Sequence, residues 1–250
     1  TLTVQAPGFK LVFSQETGLI TEGYTNDTLV LTGGPALHLT GLALRPWEKE
    51  SFSAAAFDDH VQITIIGHYG KVRVQFTMNI DNSGLMETTY TVLDMPYASP
   101  RKLAMRIGDD TDSGGYEEVG ISFTVPGELD TLSWNRKGLW TVYPEWHIGR
   151  LSGKTAMHYE QAVPGFPPEH DWQLDEKEQI LFGQYDTGRR GTKDFRSMKS
   201  YITSAEIGFK DASHGFRVLS DGSDSVRTVL THNPAYIIND RDPALVYEGS

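Results

Sequence analysis

Lys71-Val72-Arg73-Val74-Gln75-Phe76-Thr77-Met78-Asn79-Ile80 is the stretch whose spacing settles the fold class. Val72, Val74, Phe76, Met78 and Ile80 take every second position, and Lys71, Arg73, Gln75, Thr77 and Asn79 fill the places between. Side chains of a strand point alternately to its two faces, so this period of two predicts a half-buried strand with the apolar set inward. Asp81-Asn82-Ser83-Gly84 follows as turn chemistry, with Gly84 free to take a positive φ. The threonine-rich run from Leu85 to Val92 then returns beside it. On the other side, Val61 to Ile66 is expected to pair with Lys71 to Ile80 through a turn at Gly67 to Gly70.

The same texture extends in both directions. Phe9, Leu11 and Phe13 take alternate positions of a strand, and Gln15-Glu16-Thr17-Gly18 turns the chain. Leu19-Ile20 opens a further strand, Thr25-Asn26-Asp27 turns it, and Leu29-Val30-Leu31 returns. Gly33-Gly34-Pro35 reads as a break, and Pro46 as part of a loop. Further on, Leu103 to Gly108 reads as a strand, and Ile121, Phe123 and Val125 alternate toward Pro126. Leu129 to Trp134, Ile180 to Tyr185, Tyr201 to Ile207, Phe216 to Leu219, Val226 to Thr231 and Tyr236 to Ile238 complete the set. No convincing helix of ten residues or more intervenes. Short strands with turn residues between them predict an all-β chain, a large antiparallel β-sandwich with little or no helix. Without repeat or linker, residues 1–250 are expected to form one domain.

Composition narrows the function classes. The chain is 38% apolar and holds no run of the roughly 18 apolar residues that a spanning helix needs, so no membrane partner is expected. Thr1-Leu2-Thr3-Val4 has neither a charged nor an apolar leader pattern, so no signal peptide is expected there. The net charge is −11 with no basic block, which argues against nucleic acid as a partner. With no cysteine, disulfides, thiol catalysis and thiolate metal sites are excluded, while the compartment stays open.

Leu132 to Arg150 carries three of the five tryptophans. Large aromatics bury much area and need partners for their polar tips, so such a cluster either plugs a core or lines a pocket. Flat aromatic faces beside charged donors and acceptors suit sugars, and the candidate sugar-binding residues here are Trp140, Tyr143, Glu145, Trp146, His147 and Arg150. Trp134 continues the strand from Leu129 and should reach the core with Leu132, whereas Trp140 and Trp146 should be partly accessible. Asp194 and Arg196, two apart, would share one strand face beside Lys199 and Tyr201, either toward a ligand or as an internal salt bridge.

Other constellations are weaker. Asp109-Asp110-Thr111-Asp112 has oxygen ligands for calcium but lacks the EF-hand spacing, so a solvated acidic segment is the expectation. Glu117-Glu118, Asp171 with Asp175, and Glu176 with Glu178 are carboxylate pairs in sequence only, and sequence spacing does not set the separation that glycoside hydrolysis needs. The histidines lack zinc spacing on a helix, no G-x-S-x-G elbow is present, and the glycine pairs are ordinary turns. No catalytic residue, metal or cofactor is therefore expected in this chain.

Arg106-Ile107-Gly108, Phe123-Thr124-Val125-Pro126, and Trp134, Gly138, Tyr143 and Pro144 in one ungapped run occur in a familiar order, preceded by Phe13, Thr17-Gly18-Leu19 and Gly34-Pro35. In these motifs the chain resembles the C-terminal domain of family 2 glycoside hydrolases of the β-galactosidase type. Polar positions of the family pattern differ, with Arg136, Lys137, Leu139, Thr141, Glu145 and Trp146 in their places. The resemblance implies a galactose-mutarotase-like supersandwich that closes over one side of an active site. It also implies that the catalytic carboxylates lie in a separate barrel domain of the same polypeptide, because no strand–helix alternation here would build one. The expected partners are thus a carbohydrate and that barrel. Two alternatives remain: a free-standing carbohydrate-binding module, and an aldose 1-epimerase-like enzyme using Glu145 and His147, with His158 in reserve.

Overall fold

The computed structural model describes residues 1–39, 44–95, 119–129, 131–138, 151–156, 201–209, 211, 213–230 and 235–241. Among them the chain is all-β, built of antiparallel sheets in a sandwich-like arrangement, with no helix. Its residues cluster into two compact units: 1–123 with 241–250, and 124–240.

The first unit holds two sheets. One takes β1 (Leu2–Ala6), β2 (Phe9–Phe13), β3 (Ile20–Thr25), β5 (Gly33–Leu39) and β10 (Val119–Val125) in that spatial order, with β4 (Thr28–Leu31) also on β3. The other is a four-stranded meander, β6 (Glu48–Ala56), β7 (His60–Tyr69), β8 (Val72–Asp81) and β9 (Met86–Asp94). The founding alternation is realised in β8: Val72, Val74, Phe76, Met78 and Ile80 are each at most 1% exposed. Ile63 and Ile65 on β7 and Phe13 and Ile20 on the facing sheet complete the buried layer.

Contacts between the layers are close. Phe13 and Phe52 lie with ring centroids 6.3 Å apart, and the Leu37 amide donates to the Tyr69 hydroxyl at 3.2 Å. Burial of that phenol pushes its pKa up to about 12, against the opposing pull of the Leu37 hydrogen bond. Trp47 stacks at a tilt on Tyr69 and Phe76, 5.0 and 5.8 Å between centroids, and its indole nitrogen donates to the Thr17 carbonyl at 2.8 Å.

Three expectations need correction. The chain does not break at Gly33-Gly34-Pro35; β5 runs through it. A Cβ on Gly34 would stand 2.7 Å from the Phe123 ring, so this glycine marks close approach of two strands. Likewise Gly67 lies inside β7, where a Cβ would meet the Trp47 ring and the Glu48 carbonyl, and the turn is only Gly70-Lys71. Strands β1 and β6 were not expected; β6 has the exposed, irregular pattern of an edge strand, which hides its period. The Asp81 to Gly84 turn forms as read, with Gly84 at φ 85°, and Val61 to Ile66 pairs with β8 in antiparallel register.

The second unit is centred on β11 (Thr131–Arg136), flanked by β12 (Ser152–Ala156) and β13 (Ile202–Gly208), with β14 (Gly215–Leu219) outside β13. A hairpin of β15 (Ser225–Leu230) and β16 (Ala235–Arg241) follows. Trp134 is 2% exposed, as expected, and stands in one transverse row with Gly153 on β12 and Ala205 on β13. Small residues on both sides of a large one give the indole its room. Leu129, Leu132, Ile202 and Ile207 are also buried in this unit.

Candidate functional site

All eight residues read from the sequence as sugar contacts lie outside the described residues: Trp140, Tyr143, Glu145, Trp146, His147 and Arg150 in 139–150, and Asp194 and Arg196 in 191–200. The same holds for the Asp109 to Asp112 run, the carboxylate pairs at Glu117, Asp171 and Glu176, and His158. What the structure gives is the frame from which 139–150 departs and to which it returns.

That frame is narrow. β11 and β12 are antiparallel neighbours, so the segment 139–150 joins two adjacent strands at one end of the sheet. At this end the Arg136 amide donates to the Leu151 carbonyl at 2.7 Å, and a Cβ on Gly138 would run into the Leu151 side chain. Gly138 is therefore a place of close approach, which explains why a glycine stands at this point of the pattern. The Lys137 amide donates to the Tyr201 carbonyl at 2.8 Å, which brings the start of β13 to the same end. Gly222, at φ 96°, underlies the Lys137 side chain.

Tyr201 is the unusual residue of this rim. Its φ is 60°, in the left-handed region where a bulky side chain is a rare outlier. It is nevertheless 61% exposed, so core packing does not hold it there. Its carbonyl is tied to Lys137, and the next amide, Ile202, donates to the Asp224 carbonyl at 2.9 Å. Sterically costly conformations of this kind collect at ligand-contacting sites. Arg136, half-buried beside it, has its guanidinium pKa lowered by burial, with Tyr201 acting in the opposite direction. Sequence reading placed Tyr201 on a strand face; only the backbone shows it as an exposed aromatic held at the end of the Trp134 sheet.

In the first unit Glu50 is held ionised by a neighbouring cation. Glu50 accepts from Arg73 Nε at 3.0 and 2.9 Å and from Nη2 at 2.7 Å, and this pairing holds its carboxyl below the ordinary range. A general acid of glycoside hydrolysis needs the opposite shift. Comparison of the chain with protein-family models and with curated proteins finds no match.

Proposed function

We propose that this chain is the ancillary, non-catalytic β-sandwich region of a β-galactosidase-like glycoside hydrolase of family 2, and that it contacts the sugar with residues between Trp140 and Arg150 and with Tyr201. The observation that carries this reading is Tyr201: an aromatic ring held exposed at positive φ, at the sheet end from which the tryptophan-rich segment departs. An exposed aromatic offers a flat apolar face with a polar tip, the combination that a sugar ring uses.

The residues that carry the family resemblance support it from another side. Phe13, Phe123, Val125 and Trp134 are buried, and Gly18, Gly34 and Gly138 sit where a Cβ would collide with a neighbour. The shared pattern is therefore that of a framework, as an ancillary domain requires, and the positions that differ from it include the exposed Lys137. Hydrolysis itself falls to carboxylates on a barrel domain of the same polypeptide.

The test compares two proteins. The isolated chain should show no turnover of nitrophenyl glycosides, and the barrel-containing polypeptide should. In that polypeptide Tyr201→Ala should raise KM several-fold with little change in kcat, the mark of lost uniform binding. Robust hydrolysis by the isolated chain, or an unchanged KM in the variant, would overturn the reading.

A further inference from the structure

A second feature lies in the first unit, on the side of the β6–β9 sheet turned away from the core. Residues opposite one another on antiparallel strands share a face, so this side is made of transverse rows. The row nearest the β7–β8 turn is Glu48, His68, Arg73 and Asp94, one from each strand in register. Glu50, the residue skipped by a bulge in β6, adds its carboxylate to Arg73. Together with Gly70, Lys71 and Met95, the groups Glu50, His68, Arg73 and Asp94 line a concavity of about 360 Å³. Ligand pockets begin at roughly this size.

The charge of this concavity selects its occupant. Glu50 and Asp94 are balanced by Lys71 and Arg73, within a chain of net charge −11. An anion meets the carboxylates and a cation meets the two basic groups, so neither gains a net attraction. A neutral polyol uses both: its oxygens accept from Lys71 and Arg73, and its hydroxyls donate to Asp94, all in charge-assisted hydrogen bonds. Glu50 is engaged by Arg73 and fixes the guanidinium plane. Met95 supplies an apolar surface for C–H groups.

Beyond the ionic row the same face becomes uncharged. Two rows further along, Ser53, Thr64, Thr77 and Thr89 lie opposite one another across all four strands. Rows on one face are about 6.8 Å apart, and strands about 4.8 Å. The row between this one and the ionic row is Ser51, Ile66, Gln75 and Thr91, so an uncharged surface, mostly of hydroxyl and amide groups with Ile66 among them, leads away from the ionic row.

We propose that the concavity at Lys71, Arg73 and Asp94 is a second carbohydrate site, which takes a neutral sugar unit and, along the hydroxyl row, the next units of an oligosaccharide. This rests on the reading of the chain as sugar-contacting, but it places a site in the unit that does not contain Tyr201. The experiment is calorimetric and NMR titration of the chain with galactose, glucose and β-linked oligosaccharides of these sugars, beside galacturonic acid and inorganic phosphate. Lys71→Ala combined with Asp94→Asn, both at the surface, should weaken neutral-sugar binding about tenfold or more. Tyr201→Ala should leave the amide shifts of Lys71, Arg73 and Asp94 intact. Thr77→Val with Thr89→Val should erase the preference for oligosaccharide over monosaccharide. Unchanged affinity in the Lys71–Asp94 variant, no shifts at these residues, or a preference for galacturonic acid or phosphate would each overturn the proposal. If any of these occurs while Tyr201→Ala still raises KM in the full polypeptide, the reading of the Tyr201 rim stands and only the second site falls.

Discussion

The row Gly153–Trp134–Ala205 makes a quantitative prediction. A methyl group on Gly153 would stand 2.7 Å from Cη2 of the Trp134 indole and 3.0 Å from Cε2. Relaxed carbon–carbon contacts lie at about 3.5–4.0 Å, so the ring must move or the strands part. Trp134 is 2% exposed, and the next row on its face of the sheet is the buried pair Leu132 and Ile207, so it has little freedom to move. Gly153→Ala should therefore cost about 1–3 kcal/mol as overpacking. Trp134→Ala removes a side chain that buries roughly 150–250 Å² and should cost about 3–5 kcal/mol. In the double variant the methyl added at position 153 enters the space the indole left, so the Gly153 penalty should vanish. The coupling energy, about 1–3 kcal/mol, is the quantity to measure, by urea unfolding of the four proteins followed by circular dichroism. Additivity to within about 0.5 kcal/mol, or a Gly153→Ala protein as stable as wild type, would refute the packing argument.

Further outcomes follow from other contacts. Asp81, Asp211 and Asp221 each accept a hydrogen bond from the serine two residues on, and that serine hydroxyl is the first cause of a lowered carboxyl pKa in each. A lowered folded-state pKa gives stability that is fully present above the ordinary value of 3.8 and is lost as pH falls through the lowered one. The urea midpoint should thus decline in acid below about pH 4, and less steeply when all three are replaced by asparagine; an unchanged acid slope would sink the assignment. Tyr69 runs the other way: its pKa, raised from 10.0 to about 12, gives stability present below pH 10 and lost as pH rises through about 12. Tyr69→Phe should remove that alkaline loss and, by stranding the Leu37 amide, cost about 1–3 kcal/mol near neutral pH in a urea titration. Gly18 has φ 77° and a would-be Cβ 2.9 Å from Ile65 Cγ2. Gly18→Ala should lower stability by about 2 kcal/mol or more in the same assay, since strain and overpacking add.

The fold was legible wherever burial is one-sided. Strand β8 declares itself because its alternate residues meet only core or only solvent, and Trp134 could be placed inside because it extends such a run. Edge strand β6 could not be read, since residues such as Ser51, Ser53, Ala54 and Ala55 are exposed on both faces and leave no period. Glycines misled where they serve packing: Gly34 and Gly67 look like punctuation but make room for Phe123 and Trp47, partners distant in sequence. The site was legible only as composition. The aromatic segment marks a place on the chain, but the left-handed backbone of Tyr201 depends on the Lys137 amide, far earlier in the chain, and on Asp224 beyond. The ionic row is equally non-local: Glu48, His68, Arg73 and Asp94 meet only through strand register.

Trp47 has an optical consequence. The other tryptophans, Trp134, Trp140, Trp146 and Trp172, all belong to residues 124–240, so Trp47 is the single indole of the first unit. Its ring lies 5.0 Å from that of Tyr69, close enough for tyrosine excitation to pass to it while that unit is folded. Each unit thus carries its own fluorophore: replacing Trp47 with phenylalanine silences one emission and leaves the other. In the Trp47→Phe protein the remaining indole emission follows the unfolding of residues 124–240 alone, with no label added.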